Sequence, residues 1–340
     1  MIKLLSILSL MVLPSTSLTT IAATKPIIKI DQAFSDEESS RNEIAIIQSL
    51  NNEENKGAKR YLKGIFDDAN LVLKISQELK NIIHEDSQGA FIYDNDTLEV
   101  KSLNLASGKI SSFKGLSIFP NLKMLSIKFN GVAVNLSDLT TISDQLKYLE
   151  VNGSQINDID FIKQFTSLDT LNLIADDISD ISALAELTNL VRLNLDNNNL
   201  LEISALMALE NLESLDLAFN DIHDISALSR MSKLMSLGLT SNNFSGLLPL
   251  ANLLELRGLY LAVNNISDLT PLANLVNLEI LSLEDNKISD LKPLENLQNL
   301  GSLFLRYNSI PNTEEAWAPI HDLPNYSPDW DNETVRSSQR

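Results

Sequence analysis

The chain has 340 residues, a formal net charge of −19 and no cysteine, with a pI near 4.5. Its acidity opposes nucleic acid and anionic membrane surfaces, which repel a negative protein, and the missing cysteines exclude disulfides, thiolate metal sites, cysteine-linked lipid and cysteine nucleophiles. One compact core stops growing at roughly 250 to 300 residues, so two domains or an elongated repeat stack is expected.

Residues 1–23 place Lys3 ahead of an apolar run from Leu4 to Leu13 and close on Ala22 and Ala23. This is the layout of a signal peptide and predicts an exported chain, secreted, periplasmic or associated with the cell surface. The run is about half the length a helix needs to span a bilayer, and no later stretch of about 20 apolar residues occurs, so no membrane span is expected in the mature chain. Over residues 24–97 the pattern turns helical, with Ile44, Ile46, Ile47 and Leu50, then Tyr61, Leu62, Ile65, Phe66, Leu71, Leu73 and Ile75. NNEENKGA at 51–58 reads as a turn between helices, and the region as a helical N-terminal cap on the central part of the chain.

From 98 to 310 the sequence repeats itself. Leu171, Leu193, Leu215, Leu237, Leu259, Leu281 and Leu303 stand 22 residues apart, and each is followed two positions later by another leucine, Leu173 through Leu305. Leu149 with Val151, Leu125 with Ile127 and Leu103 with Leu105 extend the frame backwards, with a two-residue insertion between Leu125 and Leu149. An alternating L-x-L core is a half-buried strand. Ten such units that cannot bury their apolar faces singly stack into a curved α/β solenoid, with a parallel concave sheet of about ten strands and short helical or 3-10 turns on the convex side. At about 4.8 Å per strand the sheet is roughly 43 Å long.

Three residues beyond each pair stands Asn130, Asn198, Asn220, Asn242, Asn264, Asn286 or Asn308, with Ser154 and Asp176 as departures. An asparagine offers donors and an acceptor to turn backbone that the sheet does not reach, so a stacked ladder is expected. Aliphatic residues follow (Ile178, Leu200, Ile222, Ile266, Ile288), then Asp158, Asp180, Asp224, Asp268 and Asp290 ahead of convex segments that carry Pro249, Pro271 and Pro293. A calcium-binding row of carboxylates needs a glycine-rich nonapeptide pattern that is absent. Capping of the convex turns is the reading preferred.

The unit seen in NLVRLNLDNNNLLEISALMALE and NLEILSLEDNKISDLKPLENLQ, with its 22-residue period, its leader and a helical segment ahead of the repeats, resembles the bacterial internalin family over roughly Val100 to Ile310. The resemblance implies a leucine-rich-repeat fold that binds a host receptor through its concave face. After Pro311, a C-terminal cap is expected at 311–325, with Trp317, Ile320 and Leu323 over the last repeat, and a flexible tail at 326–340.

No chemistry stands out. His84, His223 and His321 are too scattered for a zinc site, and no nucleophile elbow, phosphate loop or dinucleotide fingerprint appears, so neither enzymatic activity nor a metal or cofactor is expected. The sequons at Asn135, Asn265 and Asn332 matter only in a eukaryotic producer. Strand positions that alternate with the leucines face the concave side. There the partner-binding candidates are Tyr148, Arg192, Asp216, Phe219, Tyr260, Glu284, Phe304, Arg306 and Tyr307, the C-terminal aromatics and Arg306 foremost because such residues dominate interface energetics. Phe219 and Tyr307, at strand exits, can alternatively pack along the ridge of neighbouring repeats. Gly238 and Gly258 suggest a hollow between the aromatics. A monomer that binds a protein partner, with glycan or peptide as further ligand classes, is the expected function. An intracellular repeat scaffold of a partner enzyme and a structural envelope protein are the alternatives.

Overall fold

A computed structural model describes residues 56–340 apart from 107–109, 129–135, 154–155, 176, 328–332 and 340. The leader, the first part of the helical region, Asn130, Ser154, Asp176, the sequons at Asn135 and Asn332, and Trp330 lie outside the described residues.

Each L-x-L unit is a strand: β4 (Ser102–Ala106), β5 (Met124–Lys128), β6 (Tyr148–Asn152), β7 (Thr170–Ile174), β8 (Arg192–Asn194), β9 (Ser214–Asp216), β10 (Ser236–Gly238), β11 (Gly258–Tyr260), β12 (Ile280–Ser282) and β13 (Ser302–Phe304). They form one ten-stranded sheet in sequence order. Every neighbouring pair is parallel, with leucine opposite leucine, as in Leu215 against Leu237 and Leu281 against Leu303. The insertion ahead of Leu149 does not shift this register, since Leu125 still faces Leu149. Leucines of the repeat are 0–3% exposed, and burying each contributes about 1.5–3 kcal/mol. The repeated column of apolar side chains therefore outweighs the poor hydrogen bonding of three-residue strands.

The asparagine ladder satisfies the turn beneath the sheet. Asn286 donates to the carbonyls of Leu261, Leu283 and Glu284 and accepts from the Ile266 N–H. Asn198, Asn220, Asn242 and Asn308 repeat this pattern. At Asn264 the donor bonds are kept, but the buried amide oxygen has no partner; Phe244 replaces the Ile or Leu whose N–H reaches it in the other repeats. A second ladder runs along the opposite corner, where Asn121, Asn189, Asn211, Asn277 and Asn299 each donate to a carbonyl one repeat back at 2.8–2.9 Å.

On the convex side the chain makes 3-10 turns, among them Ser182–Glu186, Thr270–Leu272 and Lys292–Leu294, with Pro249, Pro271 and Pro293 at their starts. Asp158, Asp180, Asp224, Asp268 and Asp290 each accept from the backbone N–H two residues on at 2.8–2.9 Å. The aspartates are turn caps, and among the described residues no group of three or more acidic or histidine side chains could hold a metal.

The N-terminal cap holds helices α1 (Leu62–Ile65), α2 (Ala69–Glu78) and α3 (Asp94–Thr97), together with β1 (Lys59–Tyr61), β2 (His84–Asp86) and β3 (Gly89–Tyr93). The three strands form an antiparallel sheet in the order β1-β3-β2, an element additional to the helical pattern read from sequence. β1 and β2 are polar-rich strands of three residues and β3 is the unbroken run GAFIY, so none shows an alternating period that a sequence can reveal. Leu62, Phe66, Leu71, Ile75 and Ile92 join the core of the first repeats. Asp68 caps α2 through the N–H groups of Asn70 and Leu71, while its other oxygen takes the N–H and hydroxyl of Ser111 at 2.6 Å. Gly115, at φ 97°, lets the repeat backbone approach α1 where a Cβ would overlap the Ile65 carbonyl.

At the other end α4 (Glu314–His321) buries Trp317 and Ile320, with Leu323 beyond it, and the Trp317 Nε1–H donates to the Pro311 carbonyl at 3.0 Å. Residues 335–339 pack against this cap. In α5 (Glu333–Ser337) Val335 is buried, Arg336 lies over the Trp317 ring at 5.4 Å and pairs with Glu314, and Gln339 donates to the Leu305 carbonyl at 3.2 Å. The open edge of β13 supplies the reason: carbonyls and N–H groups with no next strand are met by the side chains of Gln339 and Ser338.

Candidate functional site: the concave face

All nine candidate residues lie on the concave side of one sheet or at its strand exits, and they divide into two environments. Tyr148 belongs to a closed polar network on β5–β7. Glu150 accepts from Ser126 (2.6 Å), Tyr148 (3.2 Å) and Asn152 (2.7 Å) and pairs with Lys128 at 3.2 Å; Asn172 donates to the Tyr148 oxygen. Burial pushes the Glu150 carboxyl up, but the bonds from Ser126 and Lys128 prevail and hold it below the ordinary value. For Tyr148, burial and the neighbouring Glu150 charge raise the phenol. These groups are already satisfied by one another, so Tyr148 has little to offer an incoming partner.

The centre of the face is acidic and less settled. Asp196 follows β8 and Asp216 ends β9, one repeat apart, with Arg192 exposed at the start of β8. Burial first, and then the Asp216 charge, raises the Asp196 carboxyl above its ordinary range, and its Oδ1 is buried without a partner. Asp216 accepts from the Ala218 N–H at 3.0 Å. It also leans over Gly238, where a Cβ would overlap its Oδ1. The hollow suggested by the glycines is thus filled: Asp216 covers Gly238, and the Tyr260 ring lies back along its own strand over Gly258, with Cε2 and Oη 3.3 and 3.5 Å from where a Cβ would stand. Both glycines are buried.

The C-terminal part presents Phe219 (55% exposed), Tyr260 (37%), Phe304 (47%) and Tyr307 (48%), joined by Val263 (45%). Arg306 is exposed beside Phe304, and Glu284 is half-buried on the adjacent repeat. Phe219 and Tyr307 therefore do not bury themselves along the ridge. Their backbone explains why: the residue before each ladder asparagine is left-handed, with φ of 51° at Phe219, 58° at Val263 and 61° at Tyr307. Left-handed backbone costs about 1–2 kcal/mol per residue without glycine, and it turns these side chains off the strand toward solvent. By strand alternation Val263, two positions after Leu261, falls in step with the inward leucines. The left-handed column that makes it a neighbour of the aromatics is set by the turn, not by the alternation of the strand.

A model described as Leucine Rich repeats (2 copies) matches residues 254–296. Among solved structures, an internalin (inlF) of Listeria monocytogenes is 27% identical, with a TM-score of 0.59 over 79% of this chain and 90% of that one. An internalin C2 of the same species is 29% identical, with a TM-score of 0.59 over 66% of this chain and 97% of its own. A plant peptide hormone receptor, RGFR1 in complex with RGF2, shares the fold alone at 20% identity and a TM-score of 0.53, over 69% of this chain and 40% of the receptor. No curated protein sequence matches. Ten parallel strands, 3-10 turns on the convex side and these likenesses agree: the chain is an internalin-like leucine-rich-repeat protein.

Proposed function

We propose that this protein is an exported adhesion or host-interaction module that binds a protein partner through the C-terminal half of its concave face. The observation that carries the reading is the group Phe219, Tyr260, Phe304 and Tyr307, large rings kept 37–55% exposed on one side of one sheet. Isolated exposed apolar residues need no explanation, whereas aromatic clusters with a neighbouring arginine mark interface hot spots. Export rests on the leader at 1–23 and is a reading of sequence. The likeness to inlF and internalin C2, over 79% and 66% of this chain, supports a binding module.

The test is affinity capture from host-cell and envelope extracts with protein lacking residues 1–23, beside a folded variant carrying Tyr260→Ala, Phe304→Ala and Arg306→Ala. A protein retained by the parent and lost by the variant supports the reading; equal retention moves the site elsewhere. Fractionation of the producing cell tests export, because an uncleaved cytoplasmic chain would favour an intracellular scaffold.

A further inference from the structure

Immediately before each strand of the solenoid stands one residue of a continuous column, from Lys101 ahead of β4 to Gly301 ahead of β13. Each N–H after the first donates to the carbonyl one repeat back, at 2.8–2.9 Å throughout. Side chains of neighbouring repeats therefore lie side by side in this column, and where the sequence sets opposite charges there they pair. Lys147 meets Asp169 at 3.4 Å and Arg257 meets Glu279 at 2.7 Å. At its N-terminal end the column instead runs Lys101, Lys123, Lys147, three exposed cations on three consecutive repeats. No acid stands between them in the column, and among the described residues Lys101 and Lys123 make no ion pair. Like charges directly opposite one another work against a sheet. On a chain with a net charge of −19, three adjacent lysines are an exception, and their fields add into an edge that attracts anions.

Two features decide the class of anion. The first is that the row is short: Asp169 closes it, and Glu213 follows two repeats further on. A polyanion charged along its whole length, such as a nucleic acid or a sulfated glycan, runs on from the lysines onto those acids and is repelled there. A compact cluster of carboxylates meets the lysines alone. The second feature is an apolar neighbour. Met124, next to Lys123 at the start of β5, is 48% exposed. A thioether has no donor for a sulfate or a phosphate, whereas it adapts its shape to the apolar side chains of a protein.

We propose that the strand-entry edge of β4–β6 is a second contact surface, separate from the aromatic group of β9–β13, and that it receives an acidic segment of a protein partner. Clustered aspartate or glutamate side chains sit on Lys101, Lys123 and Lys147, and an adjoining apolar side chain sits on Met124.

Fluorescence polarisation on the folded chain tests this with three labelled probes: a peptide in which consecutive glutamates precede a leucine, the same peptide with glutamine for glutamate, and a heparin oligosaccharide. The expected result is saturable binding of the glutamate peptide that weakens with salt. Its affinity should fall about tenfold or more when glutamine replaces glutamate, and equally in Lys123→Glu, while staying within about twofold in Lys233→Glu, an exposed lysine outside the column. A second readout separates lost binding from lost fold. Lys123→Glu sets an acid between two lysines, as Asp169 stands beside Lys147, so its melting temperature should rise above that of the parent. Indifference to the glutamates, equal losses in Lys123→Glu and Lys233→Glu, or no binding at all overturns the inference. Heparin bound at least as tightly and lost in Lys123→Glu overturns the protein occupant in favour of a polyanion. A melting temperature that does not rise removes the repulsion on which the inference rests.

Discussion

The Asn286 side chain donates to the Leu261 carbonyl at 2.9 Å, binding one repeat to another across 25 residues of chain. The same amide bonds two more carbonyls and one N–H; because the Glu284 carbonyl also accepts from the Val263 N–H at 2.7 Å, Asn286→Ala leaves three backbone groups of a buried turn short of a bond, those of Leu261, Leu283 and Ile266. A loss of about 3 kcal/mol is expected from groups that cost about 1–3 kcal/mol each when orphaned and partly relax. Asn264 lacks the accepting bond, so Asn264→Ala should cost about 1 kcal/mol less. Urea unfolding of the two variants compares them; equal losses would show that the amide oxygen contributes nothing.

Asp68 ties the cap to the first repeats. Its burial raises the carboxyl, but the bonds from Ser111, Leu71 and Asn70 overcome this and hold it below its ordinary value of 3.8. A depressed folded value stabilises the protein above the ordinary value, and that stability is lost as the pH falls through the folded one. Asp68→Ala should cost about 2–3 kcal/mol near neutrality through the lost cap and the orphaned Ser111 N–H. Asp68→Asn should flatten the acid side of the stability–pH curve, an outcome read from urea midpoints between pH 2 and 7 as an order-of-magnitude window; an unchanged acid slope refutes the assignment.

Asp196 carries the opposite sign. Its carboxyl is raised by burial and by Asp216, so keeping it ionised at neutral pH works against folding, and the strain is relieved as the pH falls through the raised folded value. Asp196→Asn should therefore stabilise the protein at pH 7 by about 0.5–1 kcal/mol, with the gain shrinking toward acid pH. Thermal melts at neutral and acid pH measure it. A destabilised variant at pH 7 would mean that the carboxylate has a stabilising role.

The C-terminal closure is layered. Trp317 is fully buried, and Trp317→Ala should cost about 3–5 kcal/mol as a large core truncation. Deleting residues 333–340 removes one buried valine and the bonds of Ser338 and Gln339 to the strand exit, an expected loss of about 1–2 kcal/mol. Because that deletion bares the β13 edge, it should also raise the apparent mass in light scattering with increasing concentration. A strictly unchanged mass would show that α4 alone guards the edge.

The repeats were legible in the sequence because the contacts that define them recur with the 22-residue period. Leu281 on Leu303, Asn286 on Leu261 and Asp290 on the Lys292 N–H follow once the period is seen, and the concave positions follow from strand alternation. What breaks the period had to await the fold. The cap sheet of β1, β2 and β3 joins two three-residue strands to a five-residue one whose residues do not alternate, and the packing of Val335, Arg336 and Gln339 depends on an edge that exists only when ten strands are stacked. The site divided in the same way. Sequence named Tyr148, Arg192, Asp216, Phe219, Tyr260, Glu284, Phe304, Arg306 and Tyr307 as facing one side. Only the tertiary structure decided that Tyr148 is held by Glu150 and Asn172, that Asp216 and Tyr260 fill the space above Gly238 and Gly258, and that left-handed turns keep Phe219, Val263 and Tyr307 in solvent. Periodicity dictates which backbone position meets which, whereas side-chain rotamers, burial and the charges of non-equivalent neighbours decide what each position is free to bind.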